Sequence, residues 1–169
     1  MAKPSLWVFT IPLIHDAEMV RNDIYFLLNN HKNEFPFCIT VRIDVYPMNH
    51  SERFLKLVND AKEKIRQTTP EEVKKKFDSG ESVVLVDIRE DNEWDRGHIV
   101  GAIHLGKGII ERDIEHHIPD LNTEIILYCG GGFRSALATD NLEKMGYTNV
   151  VSMDGGWRRW NELEFPIIS

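Results

Sequence analysis

Glu124-Ile125-Ile126-Leu127-Tyr128-Cys129-Gly130-Gly131-Gly132-Phe133-Arg134-Ser135 runs a short apolar segment straight into a cysteine, three glycines and the start of a helical pattern. A continuous apolar run of this length is what a strand buried on both faces requires. From Arg134 to Met145, residues Ala136, Leu137, Leu142 and Met145 line one helical face, and Gly146 supplies the stop. The segment is a strand–loop–helix unit with Cys129 at the carboxyl end of the strand.

The same alternation repeats on both sides. Thr69-Pro70-Glu71-Glu72 is a capping box with Pro at the first helical position, and Val73 and Phe77 give that helix its apolar stripe before Ser79-Gly80 ends it. Val83 to Val86 is a β-branched run suited to another buried strand, and Ala102 to Leu105 a shorter one. Ile109 to His116 reads as a helix closed by Pro119, Asn149 to Met153 as a last strand, and Gly155 to Leu163 as a last helix. Strands alternating with helices pair in parallel through right-handed crossovers. The expected fold over residues 69–169 is therefore α/β, a small open parallel sheet flanked by helices on both faces.

Residues 1–68 follow a different pattern. Ser51 to Arg66 is amphipathic, with Phe54, Leu55, Val58, Ala61 and Ile65 on one side, so residues 48–68 are expected to be a helix leading into the domain. Asp23 to Leu28 suits a helix and Cys38 to Val45 a strand. Met48 opens a freshly patterned segment, so residues 1–47 are read as an upstream extension.

Composition narrows the function. Twenty Lys and Arg against 27 Asp and Glu leave a formal net charge of −7, which argues against a nucleic-acid-binding face. The apolar run Leu6 to Ile14 is broken by Thr10 and Pro12 and falls short of the about 20 residues a spanning helix needs. His15, Asp16 and Glu18 follow it without an A-x-A site, so neither membrane insertion nor secretion is expected, and a cytoplasmic location is. The two cysteines, Cys38 and Cys129, lack zinc-ligand spacing and suit a reducing compartment. No metal or cofactor is expected.

Chemistry concentrates in the loop. Consecutive glycines let successive N–H groups point at one centre, a nest that suits an anion. The helix that follows adds the partial positive charge of its N-terminus, and Arg134 adds a permanent cation in its first turn. Thiols in such surroundings titrate at roughly 3.5–7.5 instead of about 8.5, so Cys129 is expected to be a thiolate near neutral pH. The alternative is a buried structural cysteine before a glycine-rich turn. Cys129 and Arg134 are separated by four residues, a ring sized for the terminal sulfur of a persulfide and tight for a phosphoryl group. The loop also lacks a general acid, which a cysteine-dependent phosphatase needs for its leaving group and sulfur transfer does not.

Three motifs resemble those of the single-domain rhodaneses, a family of sulfurtransferases. They are Val86-Asp87-Ile88-Arg89-Glu90 with Glu93-Trp94 and Gly97 to His104, then Cys129 to Ser135, then Asp154-Gly155-Gly156-Trp157-Arg158-Arg159-Trp160. The likeness runs from about Thr68 to Ile167, the Ser51–Arg66 helix resembles the N-terminal helix of some members, and residues 1–47 stay uncovered. The resemblance implies a ping-pong reaction in which Cys129 takes sulfane sulfur from thiosulfate or a persulfide and yields it to cyanide or a thiol. A sulfur-relay protein is a further partner it allows. The amides of Gly130, Gly131, Gly132, Phe133, Arg134 and Ser135 would hold the persulfide, and Arg134 the donor's anionic end. Many members carry extra cationic or polar residues inside the loop, where this chain has Gly, Gly, Gly and Phe. That departure implies thiosulfate is a poorer donor than a protein or low-molecular-weight persulfide. The rival functions are a non-catalytic interaction module of the same fold, and a cysteine-dependent phosphatase or arsenate reductase.

Other residues carry weaker signals. Asp87 and Arg89 suit an ion pair bracing the loop, and His98 and His104 suit hydrogen bonds to local backbone. His116 and His117, beside Glu111, Asp113 and Glu115, face different sides of a helix and suit a solvated surface. Trp157 and Trp160 suit the core or the rim of the loop, and nothing places Cys38 near Cys129.

Overall fold

The computed structural model describes residues 24–28, 37–41 and 50–168, in two units divided between Ser51 and Glu52. In the first, β1 (Ile24–Leu28) pairs antiparallel with β2 (Phe37–Val41), Ile24 opposite Val41 and Leu28 opposite Phe37. The helix expected over Asp23 to Leu28 is thus corrected to a strand. Ile24-Tyr25-Phe26-Leu27-Leu28 is β-branched, aromatic and too short to hold a helix alone, and the facing strand satisfies its backbone. The strand expected from Cys38 to Val45 is found over Phe37–Val41, and the rest of that span, with Met48, lies outside the described residues.

The second unit runs α1 (Glu52–Lys62), β3 (Arg66–Thr68), α2 (Pro70–Asp78), β4 (Val84–Asp87), α3 (Asp91–Trp94), β5 (His98–Ile99), β6 (Ile103–His104), α4 (Ile110–His117), β7 (Ile125–Tyr128), α5 (Phe133–Lys144), β8 (Val150–Met153), α6 (Gly156–Glu162) and β9 (Ile167–Ile168). Five parallel strands form one sheet in the order β3-β8-β7-β4-β6, while β5 and β9 make a separate antiparallel pair. The expected α/β architecture is the one observed.

Side-chain alternation along β7 divides the core. Ile125 and Leu127 face a cluster with Ile110 and Ile114 of α4 and Ala138 and Leu142 of α5. Ile126 and Tyr128 face the opposite cluster, with Val73 of α2 and Trp160 of α6. Both faces of β7 are therefore covered, which explains its unbroken apolar run. At the head of α2 the expected capping box is present, the Glu72 N–H donating to Thr69 Oγ1 at 3.3 Å and the Thr69 N–H to Glu72 Oε2 at 3.1 Å.

One boundary is corrected. The helix expected to run on to Arg66, within a helical segment 48–68, ends at Lys62, and Arg66–Thr68 forms edge strand β3 beside β8. The register Arg66 to Val151 gives these residues backbone partners, and Arg66 Nη2 donates to Asn149 Oδ1 at 2.8 Å. Thr69-Pro70 then needs extended backbone before it to start α2, which excludes one continuous helix. Sheet pairing outweighs the helical pattern there.

The chain goes from β4 to β6 on one side, then returns to β7 on the other. The connections leaving β4 and β7 depart in different directions at that reversal, the position at which such sheets bind ligands.

Candidate active site

Cys129 follows directly on β7, and the Ile88 N–H of the β4 loop donates to the Tyr128 carbonyl at 3.0 Å, tying the two loops together. The thiol is 1% exposed. The Gly132 N–H donates to Cys129 Sγ at 3.2 Å. Ser135 Oγ lies 3.8 Å from the sulfur and receives a hydrogen bond from Ser152 Oγ at 2.8 Å. Gly132 is the N-cap of the twelve-residue α5, so the sulfur sits at the positive end of that helix. Gly132 has φ +93°, and a Cβ there would come 3.1 Å from Asp154 Cα and 3.2 Å from the Gly155 nitrogen, so the left-handed backbone and the close approach of the β8 turn both favour glycine. Gly130, Gly131, Phe133 and Arg134 are partly exposed and form the rim above the sulfur.

A third segment clamps the loop from β8. The Trp157 N–H donates to the Cys129 carbonyl at 2.8 Å and the Arg158 N–H to the Gly130 carbonyl at 3.0 Å. This fixes the head of α6 on the strand-to-helix turn. The guanidinium of Arg158 lies over Gly131, with Nη1 and Nη2 3.8 Å from where a Cβ would be.

Asp87 and Arg89 are both buried, the carboxylate accepting from Arg89 Nε at 3.0 Å and from Nη2 at 2.6 Å. Arg89 Nη2 also donates to the Gly97 carbonyl at 2.7 Å, and the guanidinium lies 4.2 Å from the centre of the Trp157 ring. The pair thus packs against the residue whose amide holds the Cys129 carbonyl. Beside it His98 and His104 stack on Trp94, 3.5 and 4.9 Å between ring centres. His104 Nε2 contacts the Arg89 carbonyl at 3.0 Å.

Arg134 reaches over Gly130, its Nη2 3.4 Å from where a Cβ would be, but its charge is already claimed there. Its Nη1 and Nη2 donate to Glu93 Oε2 and Oε1 at 2.7 and 2.9 Å, with Glu90 Oε1 at 3.5 Å. The cation to which the family resemblance gives the donor's anionic end is thus held by two carboxylates. Glu93's hydrogen bonds first, then the negative charge at Cys129 and Glu93, hold Arg134 above its ordinary range against the opposing effect of burial. For Glu93, burial works to raise the carboxyl, but the Arg134 hydrogen bonds, the Glu90 N–H and the Arg134 charge outweigh it and keep the group below the usual range. Glu93 is therefore an ionised acceptor, unsuited to deliver a proton at neutral pH. Sequence reasoning left it without a role, although the spacing Glu90-x-x-Glu93 is that of a capping box, which α3 forms.

That clamp has a pH signature. A carboxyl depressed below its unfolded value of 4.5 stabilises the fold fully above that pH, and the contribution fades as pH falls through the lower folded value. Urea midpoints measured between about pH 5 and 3 should fall less steeply in Glu93→Gln than in the parent chain. Identical slopes would remove Glu93 from the acid sensitivity.

The remaining candidates lie elsewhere. Trp160 is in the core against Phe77 and Phe165, and Trp157 is on the loop's rim. His117 Nδ1 contacts the Asp113 carbonyl at 3.1 Å on α4, and Cys38 is in β2 of the first unit. Among the described residues no group of three or more His, Cys, Asp or Glu could hold a metal, and no helix is long and apolar enough to cross a membrane. Next to the loop a cavity of about 440 Å³ opens between α2 and α6, lined among others by Thr69, Glu71, Gly131, Asp154, Arg158 and Arg159.

Known proteins are similar to this chain in sequence and fold. The chain is 33% identical over 96 residues to a putative sulfur carrier protein of Bacillus subtilis, covering 57% of this chain and 51% of the relative, so it spans about half that relative's length. It is 35% identical over 83 residues to a thiosulfate sulfurtransferase of Shewanella oneidensis, 48% of this chain and 78% of that one. A solved structure from Rhodopseudomonas palustris, a protein of unknown function described as a possible tyrosine phosphatase, superposes with a TM-score of 0.62 at 28% identity, over 73% of this chain and 99% of that one. The family model for the rhodanese-like domain matches residues 69–163, more than half of the chain and the whole span from the cap of α2 to the end of α6. The chain belongs to the rhodanese-like domain family.

Proposed function

We propose that the protein is a sulfurtransferase that carries sulfane sulfur as a persulfide on Cys129. The observation that carries this reading is the placement of Cys129 Sγ at the amino end of α5, hydrogen-bonded by the Gly132 N–H. A charged sulfur is stabilised there before and after it gains a second sulfur. The thiolate attacks the outer sulfur of a donor such as thiosulfate. The sulfur–sulfur bond of the donor breaks, sulfite leaves with the electron pair, and Cys129 retains the outer sulfur. A thiolate or cyanide then attacks that terminal sulfur and frees the Cys129 thiolate. Both leaving groups depart as anions, so no proton donor is required.

The outer sulfur would extend about 2.0 Å beyond Sγ. It would rise towards Gly130 and Gly131, which add no side chain of their own beneath the guanidinium groups of Arg134 and Arg158, with the remaining loop amides, through Ser135, as its hydrogen-bond donors. Asp87 and Arg89 act as positioning residues through Trp157. The names of the relatives, a putative sulfur carrier and a thiosulfate sulfurtransferase, support a sulfur donor of the thiosulfate type and a sulfur-relay protein as partners, and the chemistry of the persulfide calls for a thiol or cyanide as acceptor. The phosphatase reading attached to the Rhodopseudomonas protein is disfavoured here because Glu93, the carboxyl beside Gly130, is depressed below its usual range and holds no proton to give.

Mass spectrometry after incubation with thiosulfate or glutathione persulfide should show one added sulfur on the intact chain, lost on treatment with cyanide and never formed in Cys129→Ser. No added sulfur from either donor would leave the non-catalytic interaction module as the better reading. Turnover of an aryl phosphate that disappears in Cys129→Ser would restore the phosphatase.

A further inference from the structure

We propose that Arg158, on α6, is the cation that docks the anionic end of the sulfur donor, so that an oxyanion donor of the thiosulfate type enters over Gly131 from the groove between α2 and α6. The inference rests on the sulfurtransferase reading and specifies where its donor binds.

Three observations converge on this residue. The first is charge pairing around the mouth. Arg134 is taken up by Glu93 and Glu90, Lys62 by Asp154, and Arg159 by Glu71 and Glu162. Among the described residues, Arg158 is the arginine or lysine bordering the loop whose side chain makes no ion pair or hydrogen bond to a carboxylate. Its full charge is available to a ligand.

The second observation is position. Arg158 is fixed to the loop through its own N–H, which donates to the Gly130 carbonyl at 3.0 Å, and its guanidinium lies over Gly131, two residues past the nucleophile. Gly131 and Arg158 both line the 440 Å³ cavity, which gives the donor room on this flank. A planar guanidinium presents paired N–H donors that match two oxygens of a sulfonate.

The third is the pairing of the carboxylates on this flank. The cavity is also lined by Glu71, Asp154 and Glu162, but Arg159 holds the two glutamates and Lys62 holds Asp154, so the charge of Arg158 is left over for an incoming anion. The four loop positions between Cys129 and Arg134 bear no charge of their own, and the missing cation comes from 29 residues downstream of the nucleophile instead. The departure from the family's loop therefore does not make thiosulfate a poor donor.

The test is steady-state sulfur transfer from thiosulfate to cyanide by the full chain, with sulfate as a non-reacting probe of the same site. In Arg158→Gln the KM for thiosulfate should rise about tenfold while kcat stays within about twofold. Sulfate should compete with thiosulfate in the parent chain and lose potency by the same factor in the variant. Arg158→Lys should recover part of the loss, because it restores charge without the planar fork. Arg112→Gln, which removes an exposed arginine paired with Asp113 on α4, should match the parent and control for net charge. If Arg158→Gln leaves KM and sulfate inhibition unchanged in a chain that loads sulfur on Cys129, the docking role is overturned and the sulfurtransferase reading stands. If the parent chain loads no sulfur from any donor, both fall together. A loss of kcat with unchanged KM would also overturn docking, since it would make Arg158 a structural brace of the loop.

Discussion

Arg89→Met is expected to lower the stability of the second unit by about 3–5 kcal/mol, because it strands the Asp87 carboxylate in a site with no solvent exposure. The carboxylate accepts from Arg89 Nε and Nη2 and from the Arg89 N–H at 2.9 Å; the substitution removes the guanidinium bonds and its charge and leaves the N–H and the Tyr128 hydroxyl. An isolated buried charge is costly, whereas an apolar pair of similar volume can be nearly neutral. The double variant Asp87→Leu with Arg89→Met should therefore be less damaging than Arg89→Met alone. Urea unfolding at neutral pH measures both, with unchanged m-values showing that the two-state transition is the same one. A loss below about 1 kcal/mol in the single variant would mean that water reaches Asp87. The consequence reaches the sulfur, because Arg89 packs on the Trp157 ring and the Trp157 N–H holds the Cys129 carbonyl. Persulfide loading should slow in Arg89→Met even at temperatures where the chain stays folded.

Much of this was legible in the sequence, for identifiable reasons. The stretch Ile125 to Tyr128 is apolar at every position because helices cover both faces of β7, and that produces a signal four residues long without alternation. The head of α2 is legible because capping is a local interaction, closed within four residues from Thr69 to Glu72. The β3 strand is not legible. It is three residues long, polar, and defined by its pairing with β8 more than eighty residues away. The α3 helix, four residues, is below the length at which periodicity can be read. The same division holds in the site. Cys129, the glycines and the amino end of α5 are neighbours in sequence, so the anion-binding turn could be read directly. The partner of Arg134 is 41 residues upstream, and the guanidinium over Gly131 belongs to Arg158. Both depend on how loops from three different strands meet, and no local pattern encodes that.

The meeting of those loops can be tested at Gly156, where a substitution should be the most damaging of any glycine to alanine change near the site. Gly156 has φ +50°, and a Cβ would fall within the van der Waals envelope of the Cys129 carbonyl oxygen, 3.1 Å from the Cys129 carbonyl carbon and 3.2 Å from that of Gly130. Backbone atoms cannot rotate aside as a flexible side chain would, so the α6 turn must lift off the loop. The left-handed conformation costs a non-glycine residue about 1–2 kcal/mol, and forced overpacking adds about 1–3 kcal/mol. Two other positions separate these contributions. Gly101 has φ +82° with nothing within 4 Å of a built Cβ, so Gly101→Ala carries the backbone strain alone. Gly108 has open space and no left-handed backbone, so Gly108→Ala should be near neutral. Thermal unfolding of the three variants should rank Gly156→Ala well below Gly101→Ala, and Gly108→Ala level with the parent. If lifting the turn also breaks the Trp157 N–H to Cys129 carbonyl hydrogen bond, sulfur loading in Gly156→Ala should fall more than its lowered stability explains, while Gly101→Ala loads normally. Equal unfolding temperatures for Gly156→Ala and Gly101→Ala would show that α6 and the cysteine loop are not in contact, and with that the route by which Trp157 and Arg158 reach the site would be lost.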